Sequence, residues 1–194
     1  SAVIGPKGPT LRRPRAVLTL AGQRLVPLEV ETVSNSGCDG VIMLLVGQDA
    51  VDFNRAFARR GLDESMIRFS PLMEENMLLA SGPRATRNLF ASAAYFRSMV
   101  DGNSMDLLGR YVALHGAHAP ALNNAAESCY EGIHTLSALV RRADSTHPRD
   151  LDAVVEGAAY DGPRGTVEFR DRVARQKIQL AVADGLDFSI IATL

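Results

Sequence analysis

Two adjacent glutamates, two histidines three residues apart, two cysteines and one glycine-flanked arginine are the side chains in this sequence whose types could do chemistry. Glu74 and Glu75 could serve as a general acid and base. Neighbours on a helix point about 100° apart, however, and acids in a first turn are favoured by the helix dipole alone. Both readings stay open, helix-start charge or ligand contact. His115 and His118 have no cysteine or carboxylate nearby to complete a ligand set, and His115 stands beside Gly116 at a helix end, so they do not make a metal site. Cys38 and Cys129 lie far apart in apolar surroundings, which predicts free thiols and no disulfide framework. Gly162-Pro163-Arg164-Gly165 reads as a turn before a strand. There is no GxSxG, no phosphate-cradling glycine loop and no CxxC. The sequence therefore offers no catalytic mechanism and calls for no cofactor and no metal.

Polar groups with a better structural setting lie in the stretch SGCDGVIMLLVGQDAVDFNRAFARRG, residues 36–61. Residues 40–46 form an apolar run that predicts a strand buried on both faces, and residues 49–60 switch to a helical period. Asp49 is the expected N-cap, Ala50, Phe53 and Phe57 share one face, and Gly61 is the stop. In open α/β sheets ligands sit beyond the carboxyl ends of such strands, which makes Gly47, Gln48 and Asp49 the first candidates for binding.

The chain has 194 residues, 46% hydrophobic and 22% charged with net charge −1, enough for one sizeable core or two small lobes. A near-neutral balance without a basic stripe argues against a nucleic-acid partner, and the LRRPR cluster at residues 11–15 reads as a solvated surface. No apolar run is long enough to span a bilayer, there is no signal peptide, and Ser1 reads as a cut point; the cysteines do not fix a compartment.

In chain order, residues 2–4 are a short apolar piece followed by a GPKGP loop. A helix is expected over 14–21, and a strand over 23–30, broken at Pro27. Residues 66–70 predict another strand, leading through Pro71, Leu72 and Met73 into a helix that opens with Glu74 and Glu75 and closes near Gly82. Residues 89–96 are a third apolar run, with a lobe boundary near Ser92. Beyond it the texture turns helical. Asn103 or Ser104 should cap a helix to His115 with Met105, Leu108 and Val112 on one face. Residues 124–142 carry Cys129, Ile133, Leu136 and Val140 as an apolar stripe that needs a cover. A short helix follows over 148–156. Residues 165–170 alternate as a strand, and 177–183 should pair with 186–192 across Asp184-Gly185 as a type I′ hairpin.

RLVPLEV, the 36–62 stretch, SPLMEEN, SAAYF, NNAAESCYEGIHTLSALVRRA and YDGPRGTVEF occur in the order and spacing of the type I periplasmic-binding-protein fold. The chain resembles the branch containing receptors for urea, short-chain amides and branched-chain amino acids, together with the cytoplasmic amide sensor of amidase operons. The resemblance implies an α/β fold: a three-layer parallel-sheet lobe, 1–92 with 174–194, ending in a β-hairpin, and a mainly helical return segment of the other lobe, 93–173. It lacks the N-terminal part of that first lobe. Loops facing the cleft in the family map onto Gly47, Gln48, Asp49, Ser70, Leu72, Met73 and Glu74. Where relatives place aromatic residues after their first second-lobe strand, this chain has Gly5-Pro6-Lys7-Gly8-Pro9.

The resemblance implies a non-catalytic solute-binding or ligand-sensing protein, as in ABC-transporter substrate-binding proteins, for a small amide, urea or amino-acid-like ligand. A permease or regulator protein would be its partner, on either side of a membrane. The alternative is a regulatory protein with a degenerate cleft that binds a protein, such as an amide-sensing transcription antitermination regulator. Because the strands that cover the two long helices in the family are missing, their apolar stripes are expected to pair with a second copy in a homodimer.

Overall fold

The computed structural model describes residues 26–116 and 118–194. The expectations for residues 2–4, the GPKGP loop, the LRRPR cluster and the helix over 14–21 lie outside the described residues. Helix α1, Val26–Ser34, replaces the strand expected over 23–30. Pro27 falls in its first turn, where no intrahelical N–H bond is required, so the residue that argued for a broken strand is compatible with a helix start.

Two strand-helix steps and a third strand follow: β1 Gly40–Ile42, α2 Gly47–Arg59, β2 Ile67–Ser70, α3 Glu75–Ser81 and β3 Leu89–Ala93. β1 pairs with β2 and β2 with β3, both parallel. The chain then leaves for helices α4, Gly102–His115, α5, Asn124–Ala143, and α6, Pro148–Ala153. A small antiparallel sheet comes next, β4 Ala159–Gly162, β5 Gly165–Arg170 and β6 Val173–Arg175. The chain returns as β7, Gln179–Asp184, and β8, Asp187–Thr193, adding antiparallel strands to the first sheet in the order β1-β2-β3-β7-β8.

One core lies between this sheet and its helices. Phe53 and Phe57 of α2 stack at 5.7 Å, and Phe96 meets Phe188 at 5.0 Å. Val30 from α1, Leu78 from α3, Leu89 and Ala91 from β3 and Ala181 from β7 complete it, all buried. Burying each large apolar side chain stabilises by roughly 1.5–3 kcal/mol.

Several boundaries differ from expectation. β1 is three residues long instead of spanning 40–46, and it is not buried on both faces: Ile42 is 72% and Leu44 68% exposed. It is an edge strand of the described sheet, so apolar composition alone misjudged its cover. Asp49 is in the first turn of α2 and Val46 is the N-cap. Asp101, not Asn103 or Ser104, caps α4, accepting from the Ser104 N–H at 3.0 Å. In the β7–β8 hairpin Asp184 faces Asp187, and of the two turn residues Gly185 alone has positive φ (65°). A type I′ turn needs two such residues, so glycine occupies the first central position of a different turn. Cys129 is exposed and Cys38 half-buried, both as free thiols.

Arg68 on β2 is fully buried with no carboxylate in contact. Its guanidinium donates to Asn54 Oδ1, to the Ala85 carbonyl at 3.0 Å and to the Arg87 carbonyl, and it lies 4.7 Å over the Phe57 ring. Burial lowers its pKa to about 10, still well above neutrality, with the charge of Asp63 acting in the opposite direction. One side chain thereby ties α2, β2 and the approach to β3. Arg68→Ala strands those acceptors in the core and should destabilise by about 3–5 kcal/mol in urea unfolding, with the slope against denaturant unchanged.

Candidate functional site

The carboxyl ends of β1 and β2 open onto the loops that start α2 and α3. Here the structure places the residues singled out by sequence in three settings. Gly47, Gln48 and Leu72 are exposed at the edge, and Asp49 is half-buried beside them. The Gln48 side chain donates to Asp52 Oδ1 at 2.8 Å, and the Gly47 N–H points at Met77 Sδ, 3.1 Å away. Ser70 and Met73 are internal: the Ser70 hydroxyl accepts from the Leu72 N–H at 3.1 Å, and Met73 sits in the core against Asn54. Glu74 faces a third direction. Its carboxylate accepts from Asn123 Nδ2 at 2.7 Å and from the Ala125 N–H at 2.9 Å, at the start of α5. Desolvation raises its pKa, and the Ala125 hydrogen bond opposes the rise.

The next two residues grip the same part of the chain. Glu75, 1% exposed, accepts from the Arg97 N–H at 2.7 Å. The Asn76 amide donates to the Ala121 carbonyl and accepts from the Ala121 N–H, both at 3.2 Å. Glu74, Glu75 and Asn76 thus form a clasp between the start of α3 and the segment 97–125. Capping α5 with a carboxylate is favourable because the helix leaves N–H groups unpaired there and carries partial positive charge. His115 stands apart from this edge, packed on Tyr111 at 4.8 Å, and His118 is exposed.

Sequence reasoning missed a second polar cluster. Glu127 and Glu131, one turn apart on α5, are 0% and 3% exposed and enclose Arg164. Arg164 comes from the two-residue turn between β4 and β5, where Gly162 faces Gly165. Its Nε donates to Glu127 Oε2, Nη1 to Gln176 Oε1 at 2.9 Å and Nη2 to Ser128 Oγ. The available signal was the four-residue spacing of the glutamates together with the arginine of the GPRG turn. The apolar stripe on the same helix is turned outward, with Ile133 68% and Leu136 48% exposed.

Burial pushes Glu127 up to about 7, Arg164 opposes it, and the charge of Glu131 adds to it. A carboxyl that holds its proton more tightly when folded contributes stability that is complete below the unfolded carboxylate range and is lost as pH rises through about 7. The melting temperature should therefore fall between about pH 5 and pH 8, and Glu127→Gln should flatten that slope, as read by calorimetric melts.

The comparisons with known proteins agree with this architecture. The family model described as "Periplasmic binding protein" matches residues 28–186. No curated protein sequence matches the chain. Among solved structures, a solute binding protein of an ABC transporter from Rhodopseudomonas palustris HaA2, in complex with p-hydroxybenzoic acid, superposes with a TM-score of 0.75 at 19% identity, over 88% of this chain and 48% of that one. A leucine binding protein from Thermotoga maritima gives 0.74 at 12% identity, over 92% and 51%. An ABC transporter substrate-binding protein from Sphaerobacter thermophilus gives 0.77 at 16%, over 90% and 50%. The chain thus spans about half the length of these structures. With the family model covering most of its residues and the fold superposing on those structures, the chain belongs to the periplasmic binding protein family of the type I fold.

Proposed function

We propose that this chain is a non-catalytic solute-binding or ligand-sensing module for a small amide, urea or amino-acid-like compound, with the carboxyl edge of β1 and β2 as the ligand wall. The observation that carries the reading is the chemistry of that edge. The two loops present Gln48, Asp49 and Glu74 and contain no lysine, arginine or histidine. Acceptors without a cation suit a ligand rich in N–H groups, and a compact polar solute matches the small set of exposed Gly47, Gln48 and Leu72 with half-buried Asp49. Ser70 and Met73 support the wall from beneath, and Glu74 sits where a ligand would touch both the edge and the α5 start. The family's ABC-transporter members suggest a permease as partner. The two-lobe division, 1–92 with 174–194 and 93–173, is part of the same proposal.

Titration calorimetry with acetamide, urea and leucine should give saturable binding to at least one. Asp49→Ala should weaken it at least about tenfold, roughly 1.4 kcal/mol, while His115→Ala leaves it unchanged. Loss of binding in the histidine variant, or no binding to any of the three, overturns the proposal.

The alternative, a regulatory protein that binds another protein, is favoured by one feature, which also supports a homodimer. Met105 and Val112 of α4 are 59% and 46% exposed, and Ile133 and Leu136 of α5 lie equally open. A second copy of the same face is the cover that requires no other molecule, in a two-fold arrangement. Light scattering at micromolar concentration should then report twice the chain's 20.9 kDa, and Ile133→Asp should halve the mass.

A further inference from the structure

The helices that open at the β1–β2 edge close at the opposite end of the sheet, where α2, the end of α3 and the turn 82–85 border an open groove of about 560 Å³. Arg59 is about 18 Å along the axis of α2 from Gly47. Three arginines stand in the wall of the groove, Arg55 and Arg59 one turn apart on α2 and Arg84 in the turn, and no carboxylate does. Arg55 Nε donates to the Ser81 carbonyl at 3.4 Å and Nη2 to the Ala80 carbonyl, which fixes this guanidinium across the end of α3. Arg59 and Arg84 are exposed, and among the described residues neither side chain has a hydrogen bond or an ion pair.

Helix ends attract arginines, but that ordinary role accounts for Arg55 and not for the other two. The Phe57 and Ala58 carbonyls of α2 already accept from the Arg60 and Gly61 N–H groups, and the Leu78 carbonyl of α3 accepts from Gly82. A helix end carries about half a negative charge at most, so two ends offset about one of three guanidinium charges and leave about two unbalanced. The nearby carboxylates are engaged elsewhere: Asp52 accepts from Gln48 at 2.8 Å, Glu64 pairs with Arg87 at 3.3 Å, and Asp63 is buried, its charge acting on Arg68. Residues 1–25 and residue 117, outside the described set, contain no aspartate or glutamate, so none of them can close the balance. We infer that this groove is a binding site for a small dianion, a phosphate-type group or a dicarboxylate, held by the guanidiniums of Arg55, Arg59 and Arg84. Guanidinium N–H groups form a fixed fork that matches the oxygens of phosphate and carboxylate, and they stay charged throughout the physiological range. Two negative charges answer the imbalance. The volume is that of a small-molecule cleft, and Ala58, Gly82 and Ala85 leave room between the arginines. The site has the opposite chemistry to the β1–β2 edge and does not depend on the solute proposed there.

The test is titration calorimetry of the whole 194-residue chain with sodium sulfate, phosphate and succinate at about pH 8, against sodium acetate at equal ionic strength. Saturable one-to-one heat is expected for at least one dianion, at least about tenfold tighter than for acetate. The tighter of phosphate and succinate tells whether the ligand carries a phosphate-type group or two carboxylates. Arg59→Gln and Arg84→Gln should each weaken binding severalfold, and together at least about tenfold. Both side chains are exposed and bond nothing described, so the double variant should melt with the parent when no dianion is present, and lost binding is not lost folding. A saturating dianion should then raise the melting temperature of the parent alone. Asp49→Ala should leave this binding intact, which separates failure here from failure at the β1–β2 edge. No saturable heat with any dianion, acetate binding as tightly, or binding that survives in the double variant overturns the site.

Discussion

The clasp made by Glu74, Glu75 and Asn76 is the contact on which the arrangement of this molecule depends. Three consecutive side chains at the start of one short helix satisfy backbone groups at Ala125, Arg97 and Ala121 and the Asn123 amide. Two of the three are carboxylates, and hydrogen bonds to a charged acceptor are about twice as strong as neutral ones. Without these bonds the Arg97 N–H would lose its partner at a partly buried position and the α5 start one of its caps. Glu74 itself belongs to the loop that starts α3 at the carboxyl end of β2, so the proposed ligand edge and the joint share a segment.

Two buried arginines show how differently one charge can be accommodated. Arg68 is held by carbonyls, an amide oxygen and an aromatic face, with no ion pair, and it joins consecutive steps of the parallel sheet. Arg164 is held by carboxylates and joins α5 to the antiparallel sheet. The first arrangement closes on itself except at Nε. The second sets two carboxylates one turn apart against a single guanidinium, and burial raises the pKa of both. A satisfied polar network fixes packing, and a surplus of buried charge invites a proton.

On α5 the ordinary expectation for an amphipathic helix is inverted. Its glutamates face inward and Ile133 and Leu136 face outward. The inward face is the one that meets Arg164, whose guanidinium pairs with both carboxylates. The outward stripe leaves Ile133 and Leu136 in solvent among the described residues.

The sequence by itself determined the strand-helix order of the α/β sheet, the C-terminal ends of α2, α3 and α4 and the membership of β2, β3, β7 and β8, because these rest on local signals. Gly61, Gly82 and Gly116 stop helices where their positive φ is needed (68°, 83° and 81°), β5 occupies its expected residues 165–170, and the Asp184-Gly185 hairpin signal survives with a one-residue shift. Family resemblance drawn from the same letters placed Gln48 and Asp49 at the carboxyl edge. Tertiary structure alone decided that α1 is a helix, that β1 is an exposed edge strand, that Ser70 and Met73 are internal, and that Glu74 reaches across 51 positions to Ala125. It alone decided, too, that a turn arginine meets two glutamates 37 and 33 positions earlier. Periodicity reports which face of an element is apolar, not what other element will cover it, and the pairing of buried charges depends on distances that no local spacing encodes.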